Sequence, residues 1–383
     1  MEPYISKKLN TRRSSSNLLG LKGKRITQRV TFKSSTARPG ETLYVNIPVL
    51  PTGTALVPNT LALVATFTLS GALRHANNRA VQNLGRALVA RRVVRVGDKE
   101  IESLARPDLV ELYADLWRPK EERAHLVEQG IQTVEVAKHR SAAGNKNNTE
   151  ADIALARAFP KYRIHFDGLG ALELFRTHGA LPTKDLLEIR LEVTLAPAAD
   201  VIVSSDPTKV GTYLLENIFL EFQTIEPDDR AQALALAYPP PRLLFNHITH
   251  HATITFDRSA RAACVVRRHP NPTRAIQCIV STRACSQATY GKALCLSGAE
   301  WMLGVSEKRV QRPSGFFSNK YAMFIDLRAA RDALVHGDGR NSQRPGRNIQ
   351  YRIHRSGGTG NCALHLLILS EGAFELEDGE LYK

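Results

Sequence analysis

The sequence predicts a mainly β, largely antiparallel protein folded as two consecutive sandwich-sized blocks with short helical insertions. Three observations carry that expectation. Apolar and polar residues alternate at period two along much of the chain from Val30 onward, the mark of strands with one buried face. Gly, Pro, Asn and Asp interrupt these runs at short intervals, as turns between antiparallel strands require. The 383 residues also divide near 227–243, where Pro227-Asp228-Asp229 ends one series of strands and Tyr238-Pro239-Pro240-Pro241 must be extended. The block on either side has the size of a β sandwich.

The first 29 residues stand apart. Lys7, Lys8, Arg12, Arg13, Lys22, Lys24, Arg25 and Arg29 face a single acid, Glu2, with Ser14, Ser15 and Ser16 between them and little apolar periodicity. Residues 1–29 are therefore expected to be a disordered, solvated basic arm, holding close to half of the formal net charge of +15.

The first block is expected over residues 30–228. Leu43, Val45 and Ile47 alternate with Tyr44 and Asn46, and Pro51-Thr52-Gly53 supplies a turn. Leu61, Leu63, Ala65, Phe67 and Leu69 share one face, with Thr66 and Thr68 on the other. Leu109, Leu112, Tyr113 and Leu116, after Pro107, follow helical spacing, and short helices are expected at Pro119–Gln129, closed by Gly130, and at Leu169–Thr177, stopped before Gly179. Ser141–Asn148 reads as an exposed loop. The cleanest strand has Leu187, Ile189, Leu191, Val193 and Leu195 inward and Glu188, Arg190, Glu192 and Thr194 outward. Ile218, Leu220 and Phe222 repeat the pattern against Glu221 and Gln223.

Residues 229–242 are expected to be a Pro-rich linker in which 231–237 has room for one or two helical turns. The second block, 243–383, carries strands at Ala252, Ile254 and Phe256, at Tyr321, Met323, Ile325 and Leu327, and at Ile349, Tyr351 and Ile353. The basic stretch Arg340–Arg355, with Arg344, Arg347 and Arg352, reads as a hairpin loop and its flanking strand.

Composition sets outer limits. With 43% hydrophobic and 23% charged residues the chain can bury a core, which excludes disorder throughout. The longest apolar runs, such as Leu61–Phe67, are far short of the roughly 20 residues that span a bilayer. Met1–Gly20 lacks the apolar stretch of a signal peptide, so synthesis in a reducing compartment is expected. Five cysteines, Cys264, Cys278, Cys285, Cys295 and Cys362, are odd in number and form no Cys-x-x-Cys pair, which fits buried thiols.

Several segments resemble a known family. Arg29–Gly53, ending in Tyr-Val-Asn-Ile-Pro-Val-Leu-Pro-Thr-Gly, is similar to the opening strands of double jelly-roll major capsid proteins. Val81–Ile101 is too, with its Asn-Leu-Gly, its basic and apolar strand residues and its Val-Gly-Asp-Lys-Glu-Ile turn. Leu116–Gly130 resembles the helical excursion of their first roll. Most specific are Leu181–Leu195 and Tyr213–Phe222, similar to the paired closing strands of that roll. The resemblance covers residues 29–229 well and the C-terminal block by pattern, with no room for long tower insertions. The family includes adenovirus hexons and proteins of polinton-type elements, adomaviruses and tailless phages with internal membranes.

This resemblance implies a double jelly roll, two consecutive eight-stranded antiparallel jelly-roll sandwiches. It further implies homotrimers of pseudo-hexagonal outline tiling an icosahedral shell around a DNA genome. The implied partners are the chain itself, neighbouring capsomers, and penton and minor capsid proteins. The implied location is the virion capsid, with the host cytoplasm and nucleus during assembly.

No catalytic constellation accompanies these features. His247, His250 and His251 form the one histidine cluster; on a strand His247 and His251 share a face, which is two ligands where a catalytic zinc takes three. His269 and Cys264 are the nearest further candidates. Gly168-Leu169-Gly170 lacks the third glycine of a dinucleotide loop, Gly337-Asp338-Gly339 reads as a turn, and Glu121 and Glu122 sit on a solvated helix. The expectation is a structural protein with no enzymatic activity, no cofactor and no metal. Within the arm, Arg12-Arg13, a spacer and Lys22-Gly23-Lys24-Arg25 resemble a two-cluster nuclear import signal. The charges of Lys7, Lys8, Arg12, Arg13, Lys22, Lys24 and Arg25 also suit contact with genomic DNA or inner-membrane lipid through counterion release. The alternative is a β-sandwich nucleic-acid-binding protein using the arm. That reading requires aromatic platforms interleaved with basic residues, and only 7% of residues are aromatic. A lectin-like sandwich would want exposed Trp, and Trp117 and Trp301 are the only two.

Overall fold

The computed structural model describes residues 22–57, 60–70, 78–80, 84–110, 161–166, 181, 183–184, 188–204, 211–237, 242–256, 261–266, 273–280, 321–326, 349–354, 362–377 and 380–382. They fall into two compact units, one within Met1–Asp108, Glu121–Leu243 and Glu375–Lys383, the other within Leu109–Lys120 and Leu244–Phe374.

The first unit contains β1 (Gly23–Thr31), β2 (Thr36–Ala37), β3 (Thr42–Ile47), β4 (Ala55–Leu56), β5 (Ala62–Ser70), β6 (Asn78–Ala80), β7 (Val89–Val96), β8 (Lys99–Ala105), β9 (Lys161–Phe166), β10 (Ile189–Leu195), β11 (Ile202–Ser204) and β12 (Thr212–Pro227). Among the described residues the helices α1 (Leu84–Ala87) and α2 (Ala198–Val201) lie between these strands and α3 (Arg230–Ala237) follows β12. One sheet runs β1-β12-β5-β9, with β2 and β4 also on β12, and the other runs β3-β10-β7-β8. Every pairing in both is antiparallel. Counting only the strands on the two main paths in chain order, the sheets read 1-8-3-6 and 2-7-4-5, the double Greek key of a jelly roll.

Alternation fixes which side chains enter the core. Ile189, Leu191 and Val193 on β10 stand opposite Ile47, Val45 and Leu43 on β3, and all are buried. Leu63, Ala65 and Phe67 on β5 are buried as expected, and so is Val64 on the opposite face, where it stands beside Phe219. On β12 the buried residues are Tyr213 and Leu215, then Ile218, Leu220 and Phe222, and finally Thr224 and Ile225, so the parity changes by one between Leu215 and Ile218. A bulge between Glu216 and Phe219 supplies the extra residue, and Asn217 within it takes a left-handed φ of 53°. Leu215 faces Phe67 and Leu220 faces Leu63, so the insertion keeps one core face continuous across a 16-residue strand.

Leu181–Leu195 and Tyr213–Phe222, expected as paired closing strands, belong to different sheets. β10 pairs with β3 and β7, whereas β12 pairs with β1 and β5. Period two reports which face of a strand is buried and carries no record of its neighbour. Tyr213 ties the two sheets instead. Its hydroxyl donates to the Ala196 carbonyl just beyond β10, and its ring stacks on Phe67 with centroids 5.4 Å apart. Burial, and then the charge of Asp200, push the Tyr213 phenol well above its usual range.

The second unit contains β13 (Arg242–Phe256), β14 (Arg261–Val266), β15 (Thr273–Val280), β16 (Tyr321–Asp326), β17 (Ile349–His354) and most of β18 (Cys362–Glu377); β19 (Glu380–Tyr382) pairs with the end of β18. Its main sheet runs β13-β18-β15-β16, and β14 pairs with β17. The described strands thus repeat the plan of the first unit: first beside last, last beside third, and second beside last but one. The eight strands expected of this block cannot be counted on the described residues, and Leu187 and the helices expected at 119–129 and 169–177 lie outside them. Residues 107–110 begin the helix expected after Pro107.

Candidate functional site

The basic arm is shorter than the sequence implied. Lys7, Lys8, Arg12 and Arg13 lie outside the described residues, but residues 23–29, assigned to the disordered arm, form most of β1. Gly23 pairs with Pro227, Lys24 with Glu226 and Arg25 with Ile225. The physical reason is visible in β1 itself, where Ile26, Gln28 and Val30 are half-buried on one face and Arg25, Thr27 and Arg29 are exposed on the other. Two apolar side chains in nine residues are too few to show as a period, yet they suffice to cover one edge of β12. Gly23 is required for the closest approach, since a Cβ there would lie 2.1 Å from the Glu226 carbonyl oxygen. The Lys22 carbonyl accepts from the Asp228 N–H at 3.2 Å.

Lys22, Lys24 and Arg25 are all exposed, beside Glu226, Asp228 and Asp229, which are exposed too. Arg29 is held by Glu221 at 2.8 Å and lies over the Phe219 ring at 5.1 Å. Truncating residues 1–21 should leave thermal melting unchanged. Truncating 1–31 removes β1, uncovers Leu220 and Phe222, and should lower the melting temperature by roughly 10 °C or more. Differential scanning calorimetry of the two truncations checks this.

The outward face of the β3-β10-β7-β8 sheet is a polar ladder. Arg95 bonds Glu192 at 2.9 Å and Glu100 at 3.2 Å, Arg91 donates to Ser103 at 3.1 Å, Thr42 meets Thr194 at 3.0 Å, and Asn46 donates to Glu188. On the inward side, Arg92 and Glu102 form a fully buried ion pair at 3.9 Å, placed opposite Val193 and Val94. Sequence reading missed this pair because both residues look like ordinary strand surface charge.

It also passed over Arg106. This residue has φ 59°, precedes a proline, donates its N–H to the Ala90 carbonyl and forms a two-pronged ion pair with Asp108 at 2.9 and 2.7 Å. The bond to Asp108 raises its already high pKa, against the opposing effect of burial. The Arg-Pro-Asp triplet was the available signal, a turn leading into a helix.

His247, His250 and His251 lie on β13, Cys264 on β14 opposite Tyr351, Cys278 on β15 between Met323 and Leu366, and Cys362 at the start of β18. His269, Cys285, Cys295, Glu121, Glu122, the Gly168 and Gly337 turns, Trp117 and Trp301 lie outside the described residues. So do Arg340, Arg344 and Arg347, whereas Arg352 lies on β17. Among the described residues no three His, Cys, Asp or Glu side chains gather as a metal site would require, and no helix is long and apolar enough to cross a membrane.

No protein-family model and no curated protein matches the chain. Solved structures do. The Faustovirus major capsid protein aligns with a TM-score of 0.59 at 7% identity, over 93% of this chain and 91% of that one. A chain of the PBCV-1 virus capsid gives 0.53 at 13% identity, covering 94% and 97%. A chain of the Sputnik virophage, solved by cryo-EM, gives 0.50 at 12%, covering 94% and 89%. At these identities the likeness is one of fold. It spans nearly the whole length of both chains, and the fold is the double jelly roll.

Proposed function

We propose that this chain is a major capsid protein whose homotrimers tile an icosahedral shell around a DNA genome. The observation that carries the reading is the repeated strand order of the two units, together with a fold match to viral capsid chains over more than nine-tenths of the sequence. In this reading the folded body has a structural role, with no catalysis, no cofactor and no metal. The domains are an arm of residues 1–22, a first jelly roll from 23 to 228, a connection at 229–242 that includes α3, and a second roll from 243 to 383. Two sandwiches in one chain leave wide lateral faces, and closed cyclic symmetry is the usual way to bury them. Neighbouring capsomers, penton proteins and minor capsid proteins are the expected further contacts, and the virion capsid is the site of function.

The arm meets a polyanion inside the shell, either genomic DNA or the headgroups of an inner membrane, and directs entry to the nucleus before assembly. Its charge supports this: Lys7, Lys8, Arg12, Arg13 and Lys22 stand in residues 1–22 against one acid, Glu2. Sedimentation velocity tests the central claim. The expected species has three times the 42.4 kDa chain mass, held by an interface above roughly 2,000 Å² in total. A monodisperse monomer at micromolar concentration would overturn the reading.

A further inference from the structure

We infer that folding withdraws the second basic cluster of the import signal, Lys22-Gly23-Lys24-Arg25, by building it into β1. This rests on the import role proposed for the arm. A two-cluster signal is read as an extended, solvated peptide whose basic side chains all reach the receptor and whose backbone is free to lie in a groove. Here the backbone of Gly23–Arg25 is paired antiparallel with Ile225–Pro227. That pairing takes up the backbone which a receptor groove would have to hold. Gly23 sits so close to the Glu226 carbonyl oxygen that nothing else fits between the strands.

The neighbouring charges complete the arrangement. Glu226 is the direct cross-strand partner of Lys24, the Asp228 N–H is bonded to the Lys22 carbonyl, and Asp229 follows. Three carboxylates beside three basic side chains are what an acidic receptor groove would offer, supplied by the chain to itself. The cluster is therefore available when β1 is detached from β12 and unavailable when it is paired. The folded chain retains only the clusters upstream of Lys22.

Binding of a purified nuclear import receptor to five species, followed by fluorescence anisotropy, tests this. The species are a peptide of residues 1–29, the intact chain, the intact chain with Gly23→Val, and both peptide and chain with Lys24→Ala and Arg25→Ala. The peptide should bind about tenfold or more tightly than the folded chain, since the latter lacks two charge-assisted contacts. Gly23→Val, which forces the strand start away from Glu226, should move the chain towards the peptide's affinity. The double alanine change should weaken the peptide and leave the folded chain unaltered; because both side chains are exposed, it reports even if Gly23→Val does not fold. Equal affinity of peptide and folded chain, or equal weakening of both by the alanines, would overturn the inference. A peptide that does not bind at all would instead remove the import role on which it rests.

Discussion

Leu220→Asp should prevent the first unit from folding. Leu220 is fully buried, on a strand that lies between β1 and β5, with Val30 on one side and Leu63 on the other. A carboxylate there has no cation among those cross-strand neighbours and loses its water, at a cost of several kcal/mol. That is a large fraction of the ~5–15 kcal/mol by which domains are stable. Ile189→Asp in the facing sheet should behave the same way. Glu188→Lys, at a side chain 55% exposed, should change little, and Glu192→Lys, which loses a partly exposed bond to Arg95 and sets two cations side by side, should cost about 1–2 kcal/mol. Thermal melts of the four variants would show inward changes far more damaging than outward ones; the reverse order would mean a register wrong by one residue.

The buried ion pair should give the second large effect, and a non-additive one. Glu102→Leu takes from the buried Arg92 guanidinium the carboxylate 3.9 Å away, and Arg92→Met takes the guanidinium from the buried Glu102, so each alone should cost about 3–5 kcal/mol. Made together, the two changes replace two buried charges by apolar groups of similar length, and stability should return close to that of the parent. Urea denaturation of the two single variants and the double variant measures the coupling. Simple addition of the two losses would show that the charges are held by other groups and not by each other.

Much of the fold was legible because its core obeys period two. Ile189, Leu191 and Val193 and the set Ile218, Leu220 and Phe222 could be placed inward from sequence, and all are buried. Three things were not legible. Asn217 looks like any polar strand residue, yet it carries the bulge that reconciles Tyr213 and Leu215 with Ile218. The pairing of β12 with β1 joins segments nearly two hundred positions apart, and nothing local in Lys24 or Arg25 announces a strand. Arg92 and Glu102 were hidden because charge predicts exposure on average and their burial depends on where β7 and β8 lie in the sheet. For the arm, charge identified the residues, and the strand that holds some of them emerged only with the tertiary structure.

The union of β1 with β12 also bears on kinetics. Arg29 and Glu221 are 192 positions apart, so the central strand of this sheet is among the last parts of the unit to be made while its edge partner is among the first. At a synthesis rate of about 5–20 residues per second, β1 waits roughly 10–40 s on the ribosome for its complement. Contacts of such high sequence separation also slow the search for the native state, which in proteins dominated by non-local strand pairing takes milliseconds to seconds. During that interval the unpaired edges of β5 and β1 are exposed to other nascent chains. Yield in recombinant hosts should therefore respond to slower synthesis, lower temperature and chaperone supply more than to mutations that merely stabilise the finished barrel.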